Sequence, residues 1–230
     1  MPTLNSWKLT IEIDHILRAQ GADPAIIRAR RPKIVDIAEQ ALQTAMPLLK
    51  PSVTYQKIGV DSLRHEKMTL AGGGVLSGSL IVKQLGAAEE IIALVCTIGP
   101  ELEQYDKEIS MTDPVLGLAL DGVGSAACEV LANEACKYFE DEAVEKGLQI
   151  TMPISPGMID WSVAVGQPQI FALLGDNGTS VTLTDSALML PRKSLSMVLG
   201  IGANVNSGGK PCDYCNMRET CKYNEHYPTA

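Results

Sequence analysis

Aromatic residues are scarce in this chain, at 4% of 230 positions. That leaves few flat faces on which bases of a single strand could stack. Positive charge is also short: 19 Lys and Arg stand against 27 Asp and Glu, for a net charge of −8. A nucleic-acid partner is therefore not expected, because its electrostatic footprint is missing. No apolar run approaches the ~18 residues of a membrane span. Met1 to Leu9 lacks the basic and apolar regions of a signal peptide. The expectation is a cytoplasmic protein without a membrane partner. Histidine occurs only at His15, His65 and His226. With no Ser/His/Asp set, no paired-carboxylate signature and no dinucleotide fingerprint, acid–base catalysis has few candidates. Gly72-Gly73-Gly74 is not followed by Gly-Lys-Ser/Thr, so it reads as a turn and not as a phosphate loop.

What the chain does contain is an ordinary globular composition, 46% hydrophobic with mean hydropathy near zero. The pattern predicts strands at Trp7 to Ile13, Val53 to Val60, Glu66 to Leu70, Glu90 to Thr97, Ser180 to Thr184 and Leu195 to Ile201. Helices are expected from Pro32 to Ala45, from Ser77 or Gly78 to Leu85, at Gly99-Pro100-Glu101 with Pro100 as first helical residue, and from Gln167 to Leu174. The longest helical pattern, Pro114 to Lys146, carries Gly117, Gly122 and Gly124, which predict close packing or a break near Gly122. Its Cys128 and Cys136 read as small buried apolar residues. Strands at both ends with helices grouped between them indicate an α+β fold. The expected organisation is one domain over residues 1–205 and a Cys-rich tail over 206–230.

Chemistry-bearing residues collect late in the chain. Cys212, Cys215 and Cys221 stand in a Cys-x2-Cys-x5-Cys spacing that lets thiolates turn onto one metal. His226 would complete a Cys3His zinc site; the same three thiolates equally fit an iron–sulfur cluster, with a distant Cys, His226 or an exogenous group as the fourth ligand. Upstream, Pro156-Gly157 forms a turn whose backbone N–H groups are open to a ligand, with Met158 and Trp161 beside it. Lys193 and Ser194 follow Pro191-Arg192 in a second turn. These two proline-containing segments are expected to wall a single ligand-binding cleft.

Several of these pieces together resemble a known family. Ser155-Pro156-Gly157 with Asp160-Trp161 and Gln167, then Leu183-Thr184 through Met189, and Pro191-x-Lys193-Ser194-x-Ser196, resemble the reactivation (activation) domain of cobalamin-dependent methionine synthase. Thr97 to Glu103 and the Cys tail are similar to its free-standing relatives, and the resemblance spans roughly residues 50 to 225. It implies a curved central antiparallel sheet with flanking helices, and docking over the corrinoid of a partner protein. It also implies reductive methylation of cob(II)alamin with S-adenosylmethionine. In that family an arginine precedes the Pro-Gly and a tyrosine follows it, both at the adenosylmethionine site. Here Pro153 and Met158 stand in those places, so a partner for the ligand's carboxylate is lost. The tail is absent from the fused domain. Because zinc has no redox chemistry and reactivation needs an electron, the resemblance favours an iron–sulfur cluster, of four-iron–four-sulfur type, on Cys212, Cys215 and Cys221. The expected role is a corrinoid-protein reductive activase serving methionine synthase or a corrinoid methyltransferase. The alternatives are a non-catalytic corrinoid-protein adaptor with a structural zinc tail and S-adenosylmethionine-dependent reductive methylation.

Overall fold

The computed structural model describes residues 2–175, 179–215 and 218–219. The chain opens with β1 (Thr3–Leu4) and three helices, α1 (Ile13–Ala19), α2 (Pro24–Arg30) and α3 (Pro32–Ala45). Then come β2 (Ser52–Arg64), β3 (Lys67–Leu70), β4 (Val75–Ser77), α4 (Ser79–Leu85), β5 (Glu90–Thr97) and α5 (Glu101–Ile109). The long α6 (Pro114–Glu145) leads to β6 (Gln149–Ile150), α7 (Val163–Leu174), β7 (Thr182–Leu183), β8 (Met189–Leu190) and β9 (Ser194–Gly202). A 3-10 turn at Pro211–Tyr214 begins the tail.

Six strands run in the order β4-β3-β2-β5-β9-β6, every pair antiparallel, with β1 added beside the start of β2. The sheet curls into a half-barrel, in line with the expected α+β class and curved antiparallel sheet. A two-residue hairpin ladder, β7 with β8, lies outside it.

β5 explains the layering. Its run Glu-Ile-Ile-Ala-Leu-Val-Cys-Thr is buried from Ile91 onward because both faces are covered. Ile92, Leu94 and Cys96 point into a core made with α1, α3 and α6, while Ile91, Ala93 and Val95 point into a second core beneath α4 and α7. Alternation of side chains across a strand divides one apolar run between two cores. Burial raises the thiol pKa of Cys96 well above its usual range and that of Cys128 to about 12, so both act as apolar filling.

Helix boundaries follow capping chemistry. Asp23 accepts the N–H groups of Ala25 and Ile26 ahead of Pro24, and Asp113 accepts that of Leu116 ahead of Pro114. α6 runs unbroken through its glycines. A Cβ at Gly117 would collide with Ser110 Oγ, one at Gly122 would stand 2.9 Å from Gln20 Cγ, and one at Gly124 would crowd Lys193 at 3.2 Å, so these positions serve close approach. α6 is also long and apolar enough to cross a bilayer, contrary to the sequence expectation. Of its most apolar 18-residue window, 61% is buried inside the protein.

Three other expectations change. Trp7 to Ile13 is not a strand: Leu9 and Ile11 are buried and Lys8 and Thr10 exposed, as in extended chain, but no strand among the described residues pairs with it. Pro100 is the N-cap of α5, not its first residue. α7 begins at Val163, ahead of Gln167, and carries Pro168 in its interior.

Candidate functional site

The segment Pro156 to Trp161 folds as a tight hairpin. Gly157 N–H donates to the Trp161 carbonyl (2.7 Å) and Trp161 N–H to the Met158 carbonyl (3.1 Å). Asp160 occupies the third position of this turn with a φ of 61°. That is a left-handed conformation, which Asp tolerates better than most residues. Gly157 has φ +101°, and a Cβ there would stand 3.3 Å from Val163 Cγ2.

Trp161 is 1% exposed, in the core beneath α4 and α7. Its Nε1–H donates to Gln169 Oε1 (3.1 Å), and Gln169 Nε2–H donates to Ser77 Oγ (2.6 Å). Ser79 Oγ donates to Asp160 (2.9 Å). Gly78, between those serines, has φ +141°, and a Cβ on it would lie 2.9 Å from the Asp160 carbonyl. A cavity of ≈ 440 Å³ sits over this junction, bordered by Glu66, Gly78, Gly157, Met158 and Ser162. The hydrogen bonds of Ser77, Ser79, Asp160, Trp161 and Gln169 are made with one another, so these groups fix the turn.

The tail docks on the same hairpin. Ile159 N–H donates to the Tyr214 carbonyl (2.9 Å), and Met158 pairs with Cys215 as an isolated antiparallel bridge. The Tyr214 ring packs on the core beneath α4, with Lys83 Nζ 5.2 Å from its centroid. Cys212 lies in the 3-10 turn and its carbonyl accepts the Cys215 N–H (3.3 Å). With three residues per turn, a 3-10 segment brings positions three apart to one side, which suits two thiolates on a shared metal. Cys221 and His226 lie outside the described residues; among those described, no three potential ligands cluster.

Lys193 and Ser194 are elsewhere. Lys193 crosses Gly124, pairs with Asp121 (2.7 Å) and donates to Ser125 Oγ (2.8 Å), all on α6. Arg192 clamps Glu103 on α5 through its backbone N–H and Nε, both at 2.8 Å, which raises the guanidinium pKa further. The Ser194 hydroxyl lies 2.7 Å from the Pro191 carbonyl and 2.9 Å from Thr97 Oγ1. Lys193 therefore faces the α6 core, whereas the Pro156–Trp161 hairpin belongs to the opposite face. The two segments do not wall one cleft. For Lys193 the reason is parity, since it and Ser196 are an odd number of residues apart and so take opposite faces; Ser194 shares the parity of Ser196, but its hydroxyl is taken up by Pro191 and Thr97 at the end of β5. It is Ser196 that turns to the hairpin side, donating to Gln167 Oε1 (2.8 Å) at the foot of α7.

Neither Pro153 nor Met158 supplies a charged group. Pro153 borders another cavity, and the Met158 sulfur is turned inward, 3.5 Å from the Ser155 N–H. Sequence reasoning missed the contact between tail and hairpin. The signal for it was faint, since a single β-bridge has no periodic pattern.

No protein-family model matches the sequence, and no curated protein matches it. Among solved structures, the chain is similar in fold to the crystal structure of the MetH reactivation domain bound to AdoHcy. The TM-score is 0.61 at 14% sequence identity, over 91% of this chain and 80% of that one.

Proposed function

We propose that this protein serves the reactivation of a corrinoid protein, docking against its cobalamin-bearing domain. The fold is that of a MetH reactivation domain, and the Ser155–Trp161 and Leu183–Ser196 motifs point the same way. The observation that carries the reading is the bridge between Cys215 and Met158, with Ile159 N–H on the Tyr214 carbonyl. It joins the thiol-bearing tail to the hairpin that, by the resemblance, belongs to the corrinoid-facing machinery. In this reading residues 1–205 are the docking domain and residues 206–230 the tail unit. Cys212, Cys215 and Cys221 hold an iron–sulfur cluster, which when bound supplies one-electron reduction at low potential. The hairpin's part is positional: Gly157, Asp160 and the Trp161–Gln169–Ser77 chain hold the turn on which Tyr214 and Cys215 rest.

The test is protein purified without oxygen, analysed for metal and by absorption. A broad band at ~400 nm that reductant bleaches, lost in C212S and C215S, supports the reading. Colourless protein holding one zinc would sink the electron-transfer role and leave docking alone.

The AdoHcy in the similar structure favours a second reading, reductive methylation with S-adenosylmethionine. Pro153 and Met158 offer no partner for that ligand's carboxylate. Titration calorimetry with S-adenosylmethionine separates the two readings: measurable heat at micromolar ligand supports the second, and none supports electron delivery.

A further inference from the structure

Where β2 begins and β5 ends, a cavity of ≈ 500 Å³ opens beside the N-terminus of α5. It adjoins a second space of ≈ 510 Å³ across Pro100 and Ser180. Its polar border is unlike that of the hairpin cavity. Asn5, Lys50, Ser52, Glu101 and Ser180 all line it. None of these five side chains hydrogen-bonds or forms an ion pair with any described residue. Glu101 Oε2 is buried with no donor. A buried carboxylate oxygen in that condition is costly, and such atoms are rare in folded proteins.

The two side chains flank one point of the backbone. A Cβ on Gly99 would stand 2.6 Å from Glu101 Oε2 and 2.9 Å from Lys50 Cβ, and Gly99 has φ +81°. The Glu101 carboxylate and the stem of Lys50 thus flank Gly99, and the two side chains do not pair with each other. The backbone beneath them is fixed, since Gly99 N–H donates to Thr97 Oγ1 (3.2 Å), which lies 2.9 Å from the Ser194 hydroxyl. Trp7, Leu49, Pro51 and Pro100 make the rest of the wall apolar. Trp7 has its indole N–H committed to the Leu4 carbonyl (2.8 Å), so it presents only its ring.

We propose that this cavity binds a free α-amino acid with an apolar side chain. Its ammonium group meets the Glu101 carboxylate, its carboxylate meets Lys50, and its side chain lies against Trp7, Leu49 and Pro51. A zwitterion is the ligand that satisfies both unpaired charges at once; an anion alone would be repelled by Glu101 and a cation alone by Lys50. The amino-acid site is independent of the corrinoid reading.

The test is a thermal-shift screen of the full chain with each of the twenty proteinogenic amino acids at millimolar concentration, then calorimetry on the strongest. An apolar amino acid should raise the melting temperature. Its des-amino and decarboxylated analogues should not. E101Q and K50M should each weaken binding by at least about tenfold. Lys50 is exposed, so K50M serves if E101Q fails to fold. No shift with any amino acid overturns the proposal. So does a des-amino analogue that binds as tightly as its parent, or undiminished affinity in K50M.

Discussion

Replacing Gly157 by alanine tests whether the hairpin and the tail are one mechanical unit. The glycine sits at φ +101°, where an L-residue is strained whatever the space around it, and a methyl group would press on Val163 Cγ2 from 3.3 Å. Backbone strain of this kind costs about 1–3 kcal/mol. The contact adds little, because the valine has a few tenths of an ångström to give. For a chain of this size a loss of about 2 kcal/mol lowers the melting temperature by roughly 4–8 °C. The strain falls on the Gly157 N–H bond to Trp161 and so on the turn that presents Ile159 N–H to Tyr214. Urea unfolding gives the first number, and amide hydrogen exchange at Ile159 gives the second. We expect G157A to lower stability by that amount and to speed exchange at Ile159 by tenfold or more. Unchanged exchange at Ile159 in a destabilised protein would mean that the tail holds its place without the hairpin. Unchanged stability would refute the strain argument itself.

Three further outcomes follow from the contacts. Lys193 is only 17% exposed and holds both Asp121 and Ser125. K193A should therefore cost about 1–2 kcal/mol, and a double-mutant cycle with D121N should show coupling between the pair. Gln169 is the acceptor of the buried Trp161 N–H and the donor to Ser77. Q169L should destabilise by about 1–2 kcal/mol through that stranded N–H and shift the emission of the tryptophan, with unaltered emission counting against the network. Glu142 has a lowered pKa, chiefly from its hydrogen bond with Lys146 and then from that with Lys57. A folded value below the unfolded one contributes stability that is present above about pH 4 and fades as pH falls through the folded value. Solvent screens this partly open cluster, so E142Q should cost only about 1 kcal/mol at pH 7 and converge with the parent in acid. A pH-independent difference would contradict the assignment.

The parts of the fold legible in the sequence are those where one physical demand acts alone. Glu90 to Thr97 has both faces covered from Ile91 onward, and the run is apolar from Ile91 to Cys96 for that reason. Pro114 to Glu145 is a helix because its small and branched apolar residues recur on three sides. Trp7 to Ile13 misleads because alternation records alternate burial, and burial does not require a hydrogen-bonded neighbour. Gln167 suggests a helix start because Pro168 suits a first turn, yet the chain is already helical from Val163. The candidate site was half legible. Pro156, Gly157, Met158 and Trp161 do share one junction, whereas Lys193 and Ser194 turned out to brace α6 and the end of β5. Which face a side chain takes depends on strand parity at the sheet, and that is set only once β9 has found β5. The cavity that Lys50 and Glu101 line was invisible for a related reason, because the two residues lie far apart in sequence and come together only across Gly99.

The pairing of β9 with β5 has a consequence for the chain's birth. Thr97 pairs with Ser194 and Glu90 with Ile201, so β5 waits for a strand about 100 residues further on. At a synthesis rate of roughly 5–20 residues per second, that wait lasts on the order of 5–20 s. During it β5 has β2 on one side and, on the other, a bare edge of unpaired backbone groups on a largely apolar strand, the kind of template that recruits a second nascent chain. α6 is made in the interval and already fits one of its faces. The long helix then shields the nascent sheet before it becomes part of the finished core. A ribosome-bound chain halted once α6 has cleared the exit tunnel should be less prone to aggregate than one halted when only β5 has.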